Sequence, residues 1–175
     1  MNRGPDLESL VSSLVQTDLG WLGVVATARG VCLVRMGDDE REVETRLARE
    51  LPFARIRRDD AALAPWCRAL VDLVHGRPPG SEVPLDVRGS QLQQRVWKEL
   101  ARIPRGETRS YGEIARAVGL ERGARAVARA CATNPVPLAI PCHRVIEKSG
   151  ACGGYIGGVE RKRALLQRET EPPDA

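Results

Sequence analysis

The sequence predicts an α+β protein, a small N-terminal α/β part followed by a mostly helical part. Three observations lead there. Residues 21–27 and 31–36 are β-rich runs on either side of Ala28-Arg29-Gly30, which reads as a hairpin with Gly30 in the turn. Helical spacing takes over from residue 38 onward, with Val43, Leu47 and Leu51 four apart. A glycine- and proline-rich stretch, Gly76-Arg77-Pro78-Pro79-Gly80, then stops one helix and links to a second set. The division we expect is 1–86 for the first domain, 87–170 for the second and 171–175 for a disordered tail.

Taken in order, the first helix runs over 38–51, with acidic residues in its first turn and Pro52 ending it. A second starts at Asp59 or Asp60 and ends at Val74, with Leu63, Trp66, Leu70 and Val74 on one face. His75, beside a glycine at that helix end, is read as capping carbonyls. Nothing in this half offers chemistry, and it reads as scaffold. After a short strand around 83–87, Ser90 is an N-cap and Gln93 sits at the capping-box position. That helix extends to about Arg102, with Leu92, Val96, Trp97 and Leu100 toward the core, and Pro104-Arg105-Gly106 breaks it. Residues 107–111 lead into a short helix with Ile114, Ala115 and Val118 apolar and Gly119 as its stop. A turn over 120–123 and a helix over 124–133 complete a helix-turn-helix candidate.

That second helix alternates alanine with Arg125, Val127, Arg129 and Cys131. A reader of the major groove needs long polar side chains for base edges. Small residues with two arginines four apart suit close approach to the minor groove instead. The last helix spans 159–169. Leu165 and Leu166 form its apolar face, and Glu169 shares it, so this carboxylate needs a buried partner.

At 175 residues, 42% hydrophobic and 29% charged, the chain has the composition of a soluble globular protein that can bury a proper core. No window approaches a membrane span, and the first six residues lack the apolar core of a secretion signal, so a cytoplasmic setting is expected. Five cysteines at 32, 67, 131, 142 and 152 show neither C-x-x-C nor regular spacing. A disulfide framework and a four-ligand zinc site are both unsupported. Residues 1–89 hold 12 Lys+Arg and 14 Asp+Glu, while residues 90–175 hold 15 and 9. A net charge of −2 thus sits beside +6, which points the second half at a polyanion.

Chemistry gathers in one stretch. An apolar run over 136–140, with Pro137 inside it and Pro141 after it, delivers Cys142 and His143 side by side. A thiol with a pKa of about 8.5 is only a few per cent ionised near neutrality, and a neighbouring base raises that fraction. If residues 141–144 were extended, successive side chains would face opposite ways, and the ring would need a turn or a water to reach the thiol. A glycine-rich loop around Tyr155 follows over 150–158, where backbone amides can approach a ligand closely.

The run Ile140-Pro141-Cys142-His143-Arg144-Val145 resembles the active-site signature of the O6-alkylguanine-DNA alkyltransferases. The likeness extends through Arg125-Ala126-Val127 and Asn134-Pro135 upstream, and through Gly154-Tyr155 and Arg161-Lys162 downstream. It is close over about 87–169 and loose before that. The resemblance implies a ribonuclease H-like first domain and a winged-helix-like second one. It implies that Cys142 takes an alkyl group from O6-alkylguanine, with O4-alkylthymine as a further candidate, once only and with no cofactor. His143 would pass the thiol proton through a water, held toward imidazolium by Glu169, with Asn134 bracing the turn.

For the substrate, the resemblance implies Arg125 as a finger inserted into the base stack and Tyr111 as an aid to rotating the nucleotide out. Base flipping is required because the alkyl carbon lies inside the stacked duplex. Pro137, Val145, Tyr155, Ile156 and Gly157 would complete the guanine site, where Ile156 replaces the small or polar residue of many relatives. The expected partner is double-stranded DNA carrying the lesion, bound by a monomer, with cooperative binding left open. A binding-only damage sensor and an adaptive-response regulator are the alternatives. The nucleophile is present, against the first, and a regulator's zinc-binding cysteine cluster is not legible, against the second.

Overall fold

The computed structural model describes residues 9–171, so most of the expected tail and the opening residues lie outside it. The sheet domain is built on four strands in the order β3-β2-β1-β4. The strands are β1 (Leu10–Thr17), β2 (Gly20–Thr27), β3 (Gly30–Gly37) and β4 (Ile56–Arg58). β2 pairs with both β1 and β3 antiparallel, and β4 joins β1 parallel. The hairpin lies where the sequence placed it. Sequence reading missed β1 and β4, and β1 hides for a physical reason: Ser12 and Ser13 interrupt its apolar alternation yet are buried. Ser13 is satisfied by a hydrogen bond to Asp60 at 2.8 Å, a partner 47 residues away.

Alternation along β2 sorts the two faces. Val25 meets Val43 and Leu47 of α1 (Glu40–Glu50), together with Leu10, Leu14 and Leu33. Leu22, Val24 and Ala26 meet Leu63, Cys67, Leu70 and Val74 of α2 (Asp60–Val74). Each large aliphatic side chain so buried contributes about 1.5–3 kcal/mol. Both helices start on an aspartate whose side chain accepts a main-chain N–H three residues on, Asp39 for α1 and Asp59 for α2. His75 corrects one expectation. It closes α2 without capping carbonyls by its side chain, which lies 3.4 Å from Asp18. The strand expected over 83–87 reduces to one bridge between Leu85 and Val31. That bridge straps the outer edge of β3, with Val31 donating to Pro84 O at 2.8 Å and Asp86 donating to Val31 O at 2.9 Å.

The helical domain packs α3 (Gln91–Leu100), α4 (Tyr111–Ala117) and α5 (Ala124–Ala132) around Val96, Trp97, Leu100, Ile114, Ala115, Val127 and Ala130. α3 carries the expected Ser90–Gln93 capping box, and α4 carries a second one, Ser110–Glu113. Trp97 joins α3 to α5 by donating to Ala130 O at 2.8 Å. α4 and α5 form the helix-turn-helix. Beside them, β5 (Arg109–Ser110) and β6 (Val145–Ile146) make one short parallel pair, and the described residues contain no antiparallel wing. α6 (Val159–Thr170) closes the fold. The core under α2 also takes in Val136, Leu138 and Leu165, so the two domains share one apolar joint.

Candidate active site

The apolar run enters the site through a strained turn. Leu138, buried among the joint residues, has φ of +78°, a conformation costing a non-glycine residue about 1–3 kcal/mol. Pro141 then leads into a 3-10 turn, Cys142–Arg144, so the segment is wound rather than extended. That turn sends neighbouring side chains to different partners within a short span. Cys142 is 3% exposed, and its sulfur accepts a hydrogen bond from the Asn134 amide at 3.1 Å. The same amide nitrogen donates to Ile140 O at 2.8 Å, and the Asn134 oxygen accepts from Val136 N at 3.0 Å. Asn134 is therefore the brace of the turn.

Glu169 reaches the turn from α6. Its Oε1 lies 2.8 Å from His143 Nε2, while Arg144 donates to both carboxylate oxygens, through Nε to Oε2 at 2.9 Å and Nη2 to Oε1 at 2.8 Å. Arg144 also donates to Ile103 O at 2.6 Å. Burial alone would raise the carboxyl, but these two partners hold it down at about 2. Glu169 pulls the His143 ring toward imidazolium, but burial outweighs that pull and lowers the ring's pKa below the usual histidine value. The neutral ring with Nε2–H on Glu169 leaves the Nδ1 lone pair free, and Nδ1 is buried with no protein partner. Such an atom is a base waiting for a proton.

A cavity of about 230 Å³ opens over the sulfur, lined by Cys142, Tyr111, Cys131, Gly154, Tyr155 and Ile156, with Ala128 and Ala132 of α5 completing it. Of the residues singled out in the sequence, Tyr111, Tyr155 and Ile156 line this cavity. Pro137 is buried and does not line the cavity. Val145 is in the core, and its carbonyl takes the Lys162 ammonium at 2.6 Å. Gly157 has a packing role, since a Cβ there would stand 2.8 Å from the Tyr155 ring. Arg125 and Arg129 are exposed on α5, in a groove with Ser90, Gln93 and Thr133. Desolvation pushes the Cys142 thiol up to about 11 and Tyr111 up to about 12, so both are protonated at rest.

Lys162, Arg144 and Cys131 were missed as site residues. Lys162 is fully buried, ties β6 to the loop by a second bond to Gly154 O at 3.3 Å, and has its ammonium 6.0 Å from the Tyr111 ring centre. A signal was available for Lys162 alone: it is the one lysine on a face shared with Leu165 and Glu169.

Residues 91–171 match the family model of the 6-O-methylguanine DNA methyltransferase DNA-binding domain. The inducible methylated-DNA–protein-cysteine methyltransferase of Bacillus subtilis is 35% identical over 149 residues, which are 83% of this chain and 82% of that protein. The chain belongs to the methylated-DNA–protein-cysteine methyltransferase family. A crystal structure of the Mycobacterium tuberculosis O6-methylguanine methyltransferase superposes with a TM-score of 0.77 at 37% identity, over 94% of this chain and 96% of that one. The Escherichia coli bifunctional transcriptional activator and DNA repair enzyme Ada is 39% identical over 91% of this chain and 45% of its own length. The chain thus spans about half the length of the first curated relatives it matches. Among the described residues no helix is long and apolar enough to cross a membrane.

Proposed function

We propose that the protein repairs DNA by moving the alkyl group of O6-alkylguanine onto Cys142 in a single irreversible turnover. The observation that carries this reading is a buried thiol at the floor of a cavity, hydrogen-bonded by Asn134 and next in sequence to a neutral, half-partnered histidine. DNA docks on the helix-turn-helix through phosphate contacts, which position the protein without reading sequence. Arg125 fills the gap left by the flipped nucleotide, and the guanine enters beside Tyr155 and the glycine-rich loop.

His143 Nδ1 accepts the thiol proton through a bridging water, and Glu169 then stabilises the imidazolium that forms. The thiolate attacks the alkyl carbon, an S–C bond forms, the C–O6 bond breaks, and its electron pair stays on the guanine. A neutral Tyr111 hydroxyl donates a hydrogen bond to that developing charge, consistent with its raised pKa. No side chain of the site is placed to hydrolyse a thioether, so the protein acts once. Residues 1–86 act as scaffold and 87–170 as the DNA-binding acceptor domain. The protein acts as a monomer in the cytoplasm, with no cofactor.

The test is intact mass after mixing the protein with a duplex carrying one O6-methylguanine, alongside Cys142→Ser. A gain of one methylene on the wild type alone, mapped to the Cys142 peptide, is expected. Binding to the lesion without mass gain overturns transfer and leaves a damage sensor. The likeness to Ada supports a second reading, a regulator whose methylation changes transcription. A transcriptional response to the methylated protein would be its signature.

A further inference from the structure

Arg35 sits near the end of β3, in the domain read above as scaffold, and is only 5% exposed. Its guanidinium does not stay within that domain. Nη1 donates to Val34 O at 2.6 Å and then across the joint to Pro135 O at 3.0 Å and Asn134 O at 3.3 Å. Nε donates to Glu50 Oε1 at 2.6 Å, and Nη2 pairs with Glu50 Oε2, which neutralises the charge. Beside these contacts, Val34 N donates to Pro135 O at 2.8 Å.

Both ends of Asn134 are therefore engaged. Its main-chain carbonyl is held from the sheet domain, and its side-chain amide is committed to the sulfur of Cys142 and to Ile140 O. The residue is fully buried, so its side chain has no solvent alternative. Stability alone does not call for an arginine here. Well-packed apolar residues replace buried ion pairs at little cost or with gain, and the joint already has Val136, Leu138 and Leu165. A planar fork offers what an apolar residue lacks, donors in fixed directions that reach two successive carbonyls and a carboxylate at once.

Resting on Cys142 as the nucleophile, we infer that Arg35 is a positioning residue: its guanidinium holds the Asn134–Pro135 main chain where the Asn134 amide meets the sulfur. The sheet domain thereby takes part in the reaction through one side chain. Loss of the clamp lets the turn drift, and an N–H···S contact weakens steeply as its angle closes. A sulfur without that donor ionises less readily.

The experiment compares wild type, Arg35→Leu, Arg35→Lys, Asn134→Ala and the Arg35→Leu/Asn134→Ala double variant. Three quantities are measured: single-turnover methyl transfer from an O6-methylguanine duplex, alkylation of Cys142 by iodoacetamide without DNA, and thermal unfolding. Arg35→Leu is expected to slow both reactions about tenfold, the equivalent of one pKa unit at the sulfur. Arg35→Lys, which restores a donor, should recover most of the rate. Adding Arg35→Leu to Asn134→Ala should change the rate less than twofold, because both cut the same link.

Independent losses that multiply in the double variant would overturn the inference. So would a lower unfolding temperature with unchanged rates, or no recovery with lysine. If Arg35→Leu does not fold, Arg35→Gln supplies the same cycle. Wild type that takes no methyl yet shows the Arg35-dependent iodoacetamide rates removes the repair reading and leaves this one. Transfer that ignores Arg35 does the reverse.

Discussion

Glu169 and His143 meet at 2.8 Å across 26 residues of chain, both almost wholly buried, and the carboxylate is shared with Arg144. Removing it leaves a buried guanidinium without a counter-charge, which costs about 3–5 kcal/mol. Glu169→Gln should lower stability at pH 7 by that order in urea titrations. The pH dependence has a defined sign. The carboxyl is held at about 2 in the fold against 4.5 as the ordinary value, so its contribution is complete above 4.5 and is lost as pH falls toward 2. The difference between wild type and Glu169→Gln should shrink by about 3 kcal/mol over that window, while the other carboxylates cancel. A difference constant with pH would contradict the pairing.

His143→Gln removes the base and keeps a polar group of similar reach. Single-turnover transfer at pH 7 should fall by about 10²- to 10⁴-fold, the usual range for a lost general base. Rate should then climb with pH more steeply than in the wild type, because hydroxide replaces the ring in drawing off the thiol proton. Rates that are equal at pH 7 would remove His143 from proton transfer.

Tyr155 separates stability from activity. Its hydroxyl is buried with no protein partner, so Tyr155→Phe deletes an unsatisfied group and should unfold at the same temperature or higher. Methyl transfer should nevertheless drop several-fold, because a partnerless hydroxyl at a cavity wall is reserved for a ligand. A variant both more stable and fully active would show that the hydroxyl serves neither purpose.

The arginines of α5 should differ in kind. Arg129→Ala should weaken binding to any duplex and reduce the slope of log K against log salt by about 0.9, the signature of one phosphate contact. Arg125→Ala should slow repair in a duplex far more than in a single strand, since only the duplex has a stack to refill. Equal losses on the two substrates would assign Arg125 to the backbone instead.

The parts legible in the sequence were those whose causes are local. The β2–β3 hairpin, the capping box at Ser90 and the stop at Gly119 each follow from residues within one or two turns. Cys142 and His143 were legible as a pair because they are adjacent, and Glu169 because a carboxylate on an apolar face demands a partner. β1 was not, since the burial of Ser13 depends on Asp60. The partners of Arg144 and Lys162 were not legible, because only the closed fold brings Glu169 to the first and two carbonyls to the second. The burial that outweighs Glu169 at His143 was not legible for a related reason. Sequence shows which charges are near in the chain and says little about how much water is excluded.

The contacts across the joint have a common form. Arg35 donates to Pro135 O, Arg161 to Leu19 O at 2.7 Å and Arg168 to Val74 O at 3.0 Å. In each, a guanidinium from one domain grips a main-chain oxygen of the other. A carbonyl is present whichever residue carries it, so these grips ignore the identity of the side chain they land beside. Across these grips, side-chain identity matters at two points only, Asp38 and Asp18, whose carboxylates also pair with Arg161 and Arg168. A graft of this helical domain onto a relative's sheet domain should seat correctly wherever that sheet supplies an arginine on β3 and keeps its corner loops at the same height.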